Sequence, residues 1–179
     1  MALNKYMHPR NVYKDRKPNF KKLAEKYEEF HKHVLHDDHG TVQIDFKKPE
    51  CLRALSWALL KDDFNLDVLM PLDRLIPTIP LRLNYILWLE DILDRETETI
   101  CGIDIGTGAS CVYPLLGAKK NGWSFIATES DGTNYQYAKK NVENNQMTDK
   151  IKGLNVWHPH HPVPGTTQEN YLPEEYSVH

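Results

Sequence analysis

A chain of 179 residues is long enough for one ordinary domain, although 40% hydrophobic content is on the low side for a full-size core. The net charge of -3 is unlike that of a nucleic-acid binder, but it is unevenly spread: Met1–Lys22 holds seven basic residues (Lys5, Arg10, Lys14, Arg16, Lys17, Lys21, Lys22) against Asp15, on an acidic remainder. That asymmetry points to a polyanionic partner, while three scattered cysteines and no CxxC spacing argue against a disulfide framework.

Residues 1–18, polar, basic and containing Pro9 and Pro18, read as an extended arm. Phe20, Leu23, Ala24, Tyr27, Phe30 and Val34 follow at helical spacing, with Asn19 placed to cap the helix. Val42, Ile44 and Phe46 alternate, predicting a short strand. Pro49 opens a second helix with the stripe Leu52, Leu55, Leu59, Leu60 and Phe64. Pro71, Pro77 and Pro80 make Leu69–Pro80 irregular. A third helix then runs from Pro80, with Tyr85, Trp88, Leu89, Ile92 and Leu93 as its apolar stripe.

Ile100–Ile105 reads as a strand buried on both faces, Cys111–Lys120 as a helix ended by Gly122, and Trp123–Thr128 as a second strand. A last helix covers roughly Asn134–Asn145, with Tyr135, Ala138 and Val142 inward. This β-α-β-α order predicts a parallel sheet with crossover helices. Residues 153–179, with four prolines and His158-Pro159-His160-His161-Pro162, are expected to form a disordered tail.

The chemistry concentrates at Asp104-Ile105-Gly106-Thr107-Gly108-Ala109-Ser110. Gly106 and Gly108 allow a sharp strand-to-helix turn and leave room for a ligand to approach the backbone, while Thr107 and Ser110 add hydroxyls. Glu129 falls where the end of the next strand would present a carboxylate to ribose hydroxyls. Cys111 occupies the position of the third glycine of GxGxxG, which disfavours a pyrophosphate-bearing dinucleotide. Asp104 suits a cofactor carrying a sulfonium and an ammonium. A glycine turn in any doubly wound domain is the bland alternative.

Ile79-Pro80-Leu81-Arg82-Leu83-Asn84-Tyr85, Gly102-Ile103-Asp104 through Ser110, and Tyr137-Ala138-Lys139-Lys140-Asn141-Val142 resemble the methyltransferase-like protein 16 family. Its members are RNA adenosine N6-methyltransferases acting on U6 small nuclear RNA, related to bacterial ribosomal-RNA adenine N6-methyltransferases. The likeness covers about residues 1–152. It implies a partial Rossmann-like class I methyltransferase fold of α/β class, holding the first strands of the sheet after an N-terminal helical region. The expected divisions are 1–18 as a basic RNA-binding arm, 19–98 as the helical region, 99–152 as the cofactor-binding half and 153–179 as a divergent tail.

The resemblance implies S-adenosyl-L-methionine as cofactor, bound by Gly106, Ser110 and Glu129 beside Gly108, with Arg82 as a bidentate partner for its carboxylate. It makes structured RNA, such as a hairpin or small nuclear RNA, the expected partner of Lys5, Arg10, Lys14, Arg16 and Lys17. Tyr6, Tyr13 and Phe20 among them could stack on bases. The histidines at 31, 33, 36 and 39 show no zinc spacing, so no metal site is expected, and Cys101 and Cys111 read as buried packing residues. No segment resembles a signal peptide or reaches membrane-spanning length, so a soluble nuclear or cytoplasmic protein is expected.

Related adenine N6-methyltransferases carry Asn-Pro-Pro-aromatic after the fourth strand, to hold the flipped base. The 179 residues contain no such stretch. The expectation is therefore a truncated form without assignable catalytic residues, inactive alone, with Ile100–Ile105 as a hydrophobic edge. The alternatives are a non-catalytic RNA- or cofactor-binding fragment and, further off, a nicotinamide-dependent Rossmann enzyme.

Overall fold

The computed structural model describes residues 6–37, 41–93 and 99–156. Lys5 and most of the 153–179 segment therefore lie outside the described residues.

The N-terminal segment is not an extended arm but a strap. Met7, Asn11 and Tyr13 are buried, and Asn11 Nδ2 donates to the Pro80 carbonyl at 2.9 Å. The expected first helix is two pieces, α1 (Phe20–Lys26) and α2 (Glu28–His31). Asn19 caps α1 as predicted, its side chain accepting from Lys22 N at 3.1 Å. Tyr27 interrupts the run with extended backbone (φ -126°), where its ring meets Trp57 edge-on at 5.4 Å. Tertiary packing outweighs local helix preference here. Val34, assigned by spacing to that helix, instead begins β1 (Val34–His36), antiparallel to β2 (Val42–Ile44).

Helix α3 (Pro49–Phe64) starts on Pro49 and ends on Asn65, whose left-handed backbone (φ 50°) lets Leu66 N reach the Leu60 carbonyl at 3.0 Å. Helix α4 (Ile79–Ile92) follows the irregular proline-rich link. Its orientation corrects the sequence reading. Ile79, Leu83, Ile86 and Leu87 are buried, whereas Tyr85, Trp88 and Ile92 of the expected stripe are about half exposed. The helix is apolar nearly all round, so periodicity alone selected the open face.

The remainder is β3 (Cys101–Ile105), α5 (Val112–Asn121), β4 (Ser124–Glu129), α6 (Gly132–Asn144) and β5 (Ile151–Asn155). The three strands form a parallel sheet in the order β3-β4-β5, giving the expected α/β architecture. Residues 153–155 belong to β5, because the apolar Ile151 pairs beside the buried Phe125; the tail assignment began too early.

Phe125 sits between Gly102 and Gly117, where a Cβ at Gly117 would stand 2.6 Å from its ring. These two glycines let a helix and a strand close on one aromatic ring. The opposite side of β3 is open: Ile103 and Ile105 are 68% and 84% exposed. Among the described residues β3 is thus an edge strand with one uncovered face, not a strand buried on both faces. Cys101 on that face is exposed and so is not a packing residue, unlike the buried Cys111.

Candidate functional site

The parallel strands β3 and β4 deliver Asp104 and Glu129 to the same end of the sheet. Between β3 and α5 the chain turns through Gly106 (φ 75°) and Gly108 (φ 66°), conformations that L side chains rarely adopt. A Cβ at either glycine would meet nothing within 4 Å, so the backbone there faces open space. The turn is pinned from behind, with Gly106 N and Thr107 N both donating to the Thr128 carbonyl, at 3.0 and 2.9 Å.

Glu129 is buried and holds the site together. Its Oε2 accepts from Gly108 N at 2.8 Å, and its Oε1 accepts from Ser130 N and Asp131 N at 2.8 and 3.0 Å. One carboxylate therefore ties the glycine turn to the mouth of α6. Asp131 then caps α6 by accepting from Asn134 N at 2.8 Å.

Asp104 is half buried beneath the turn, and its Oδ2 has no hydrogen-bond partner, nor does the buried Thr107 hydroxyl. Burial pushes the Asp104 pKa up, with the Arg82 guanidinium opposing and Glu129 reinforcing. Arg82, on the first turn of α4, donates from Nη1 to the Tyr113 hydroxyl at 2.7 Å, while its buried Nε has no partner. Ser110 is buried at the start of α5. Cys111, the helix cap, adopts φ 49°, and burial pushes its thiol up to about 12, so it is inert packing. The structure thus gathers Arg82, Gly106, Gly108, Ser110 and Glu129 around one turn.

The arm residues are placed differently. Arg10 pairs with Glu90 (2.6 Å) and Asp91 and donates to the Leu87 carbonyl (3.2 Å). Arg16 pairs with Asp63 at 2.5 Å. The buried Tyr13 donates its hydroxyl to the same Asp63 at 2.7 Å, which removes its ring from any stacking surface. Burial and Asp63 push the Tyr13 phenol far up, and Asp63 also raises the Arg16 pKa. Lys14 is half buried, Lys17 is exposed, and Tyr6 is 78% exposed.

Sequence reasoning missed Asn141, which is fully buried. It accepts from Leu69 N (2.7 Å) and donates to the carbonyls of Leu69 and Ala109 (both 2.9 Å). This one amide joins the proline-rich link, α6 and the glycine turn. Its position between Ala138 and Val142 on the inward face was the available signal, since a polar side chain inside an apolar stripe needs partners.

Parallel strands, a glycine turn into a helix and a carboxylate on the next strand define a Rossmann-like α/β domain of the class I methyltransferase type. The chain belongs to the RNA methyltransferase family, whose model matches residues 1–171, so the likeness continues past Lys152.

It is 58% identical over 156 residues to the RNA N(6)-adenosine-methyltransferase mettl16 of Danio rerio, covering 87% of this chain and 33% of that protein. It is 46% identical to the U6 small nuclear RNA (adenine-(43)-N(6))-methyltransferase of Caenorhabditis briggsae, again covering 87% of this chain and 33% of the relative. The chain thus spans about a third of the length of these curated relatives.

Among solved structures, the METTL16 MTase domain superposes with TM-score 0.82 at 54% identity, covering 86% of this chain and 61% of that one. The N-terminal domain of human METTL16 in complex with SAH matches with TM-score 0.80 at 50% identity, covering 96% of this chain and 65% of that one. The human catalytic domain in complex with the MAT2A 3′UTR hairpin 6 matches with TM-score 0.81 at 55% identity, covering 85% and 54%.

Proposed function

We propose that these residues form the S-adenosyl-L-methionine-binding half of an RNA adenosine N6-methyltransferase that acts on a structured RNA such as U6 small nuclear RNA. The observation that carries the reading is the opposed pair at the turn: an Arg82 Nε and an Asp104 Oδ2, both buried and both without partners. An amino-acid-bearing sulfonium supplies a carboxylate for the first and positive charge for the second. A pyrophosphate would face the carboxylates of Asp104 and Glu129, which disfavours a dinucleotide. The complex of the human relative with SAH supports the same choice.

The cofactor supplies an activated methyl group for direct transfer to N6 of adenine. The chain's own part is binding and orientation. The glycine turn gives close backbone access; the Ser110 hydroxyl would donate to the nucleoside, and the lone pairs left on Glu129 would accept from its ribose hydroxyls. Arg82 and Asp104 fix the amino-acid end. Lys14, Lys17, Arg10, Arg16 and the exposed Tyr6 offer phosphate pairing and stacking along the strap, with Lys5 as a further cation. Arg10 and Arg16 would share their charge between RNA and their own carboxylates, so Lys17 is the more direct phosphate contact.

Residues 1–179 are proposed to bind cofactor and RNA but not to transfer methyl groups alone. They contain no Asn-Pro-Pro-aromatic stretch, and among the described residues no strand pairs with the free edge of β3 next to the glycine turn. A nuclear setting follows if U6 small nuclear RNA is the substrate. The test uses purified 1–179 with methyl-labelled cofactor and an RNA hairpin. Retention of label on the protein without transfer to RNA is expected. Label in the RNA would contradict the inactivity, and no retention would contradict the cofactor site.

A further inference from the structure

We infer that Tyr113 is a positioning residue that presents one edge of the Arg82 guanidinium to the carboxylate of an amino-acid-bearing nucleoside. The inference rests on the cofactor reading above and adds the residue that makes the site selective for that end of the molecule.

Tyr113 lies in the first turn of α5, immediately after the glycine turn, and Arg82 lies in the first turn of α4. Two contacts join them. The Arg82 Nη1 donates to the Tyr113 hydroxyl at 2.7 Å, and the guanidinium carbon stands 5.2 Å from the Tyr113 ring centre. Tyr113 is itself fixed by an edge-on contact with Tyr85, centroids 5.0 Å apart. A long arginine side chain is normally free to rotate, and ordering it costs rotamer entropy on binding. Holding it beforehand by a hydroxyl and a ring removes most of that cost.

The hydroxyl also selects which edge of the guanidinium remains. With Nη1 engaged, the end-on Nη1/Nη2 fork is compromised, while Nε stays buried and without a hydrogen-bond partner. Nε and the adjacent Nη2 form the side-on edge, whose two parallel N–H groups match the two oxygens of a carboxylate. Arg82 is close enough to oppose the rise that burial imposes on the Asp104 pKa, so the same guanidinium lies near the carboxylate beneath the turn. A zwitterionic amino-acid group would offer its carboxylate to the first and its ammonium to the second. A nucleoside thioether lacking that group gains nothing from either.

The experiment compares S-adenosylhomocysteine with 5′-methylthioadenosine, which keeps the nucleoside and thioether but has no carboxylate or ammonium. Isothermal titration is done on 1–179 as wild type, Tyr113→Phe and Arg82→Lys. Tyr113→Phe keeps the ring and its Tyr85 contact and removes only the hydroxyl.

Wild type is expected to prefer S-adenosylhomocysteine. Tyr113→Phe should weaken that ligand about 3- to 10-fold, the worth of one ordinary hydrogen bond, and leave methylthioadenosine within about twofold. Arg82→Lys, which has no side-on edge, should lose more of the same preference. Equal weakening of both ligands, or of neither, by Tyr113→Phe overturns the positioning role while the cofactor site stands. Failure of wild type to bind S-adenosylhomocysteine overturns the site itself, and this inference with it.

Discussion

Replacing Asp104 with Asn should stabilise the chain while weakening its cofactor site. The Asp104 carboxylate is half buried and its Oδ2 has no partner. An unsatisfied buried polar atom costs about 1–3 kcal/mol, more when charged, and the attraction of Arg82 offsets part of that. A net gain of about 1 kcal/mol for the neutral amide corresponds to a rise of about 2–4 °C in Tm for a domain of this size. The pH dependence fixes the sign. Because burial raises the folded-state pKa above its unfolded value, the folded chain binds its proton more tightly and loses stability as pH climbs from the unfolded pKa through the folded one. The advantage of Asp104→Asn should therefore be small near pH 4 and full at pH 7.5. Thermal unfolding of both proteins across that range measures it. A lower Tm for Asp104→Asn at pH 7.5, or a gap that shrinks with rising pH, would refute the reasoning.

Asn141→Ala strips partners from three backbone groups at a fully buried node and should destabilise the chain by about 3–5 kcal/mol, read by urea titration. A cost below 1 kcal/mol would show that the node does not tie the link to the glycine turn. Ile103→Lys, on the 68%-exposed edge position, should lower light scattering at high concentration and leave Tm within about 2 °C. Arg10→Ala should lower Tm by removing one of the two cations paired with Glu90, whose side chain is only 10% exposed, whereas Lys17→Ala should leave Tm unchanged and weaken hairpin RNA in a filter-binding assay.

The glycine turn and the β-α-β-α order were legible because each rests on a local rule: φ above zero at Gly106 and Gly108, and short apolar runs separated by amphipathic ones. The carboxylate at Glu129 followed from its spacing beyond the glycine loop and its place at the end of the next strand. What sequence did not disclose depends on distant contacts. Tyr27 leaves its helix for Trp57, and α4 turns its Leu83–Leu87 side inward although its other side is equally apolar. The arm becomes a strap because Asp63, Glu90 and Asp91 attract Arg16 and Arg10 from tens of residues away. Tyr113 escaped notice because one tyrosine in a helix carries no motif; its meaning comes from Arg82 lying across from it.

The central claim is that the turn from Asp104 to Ser110, closed by Glu129, is a nucleoside-cofactor site. Titrating S-adenosylhomocysteine into wild type and Glu129→Ala tests it most directly, since that substitution removes the carboxylate that ties Gly108 to the mouth of α6. Saturable one-to-one binding by wild type, weakened at least about tenfold in Glu129→Ala, is the predicted result. Binding of equal strength by both proteins would contradict the claim.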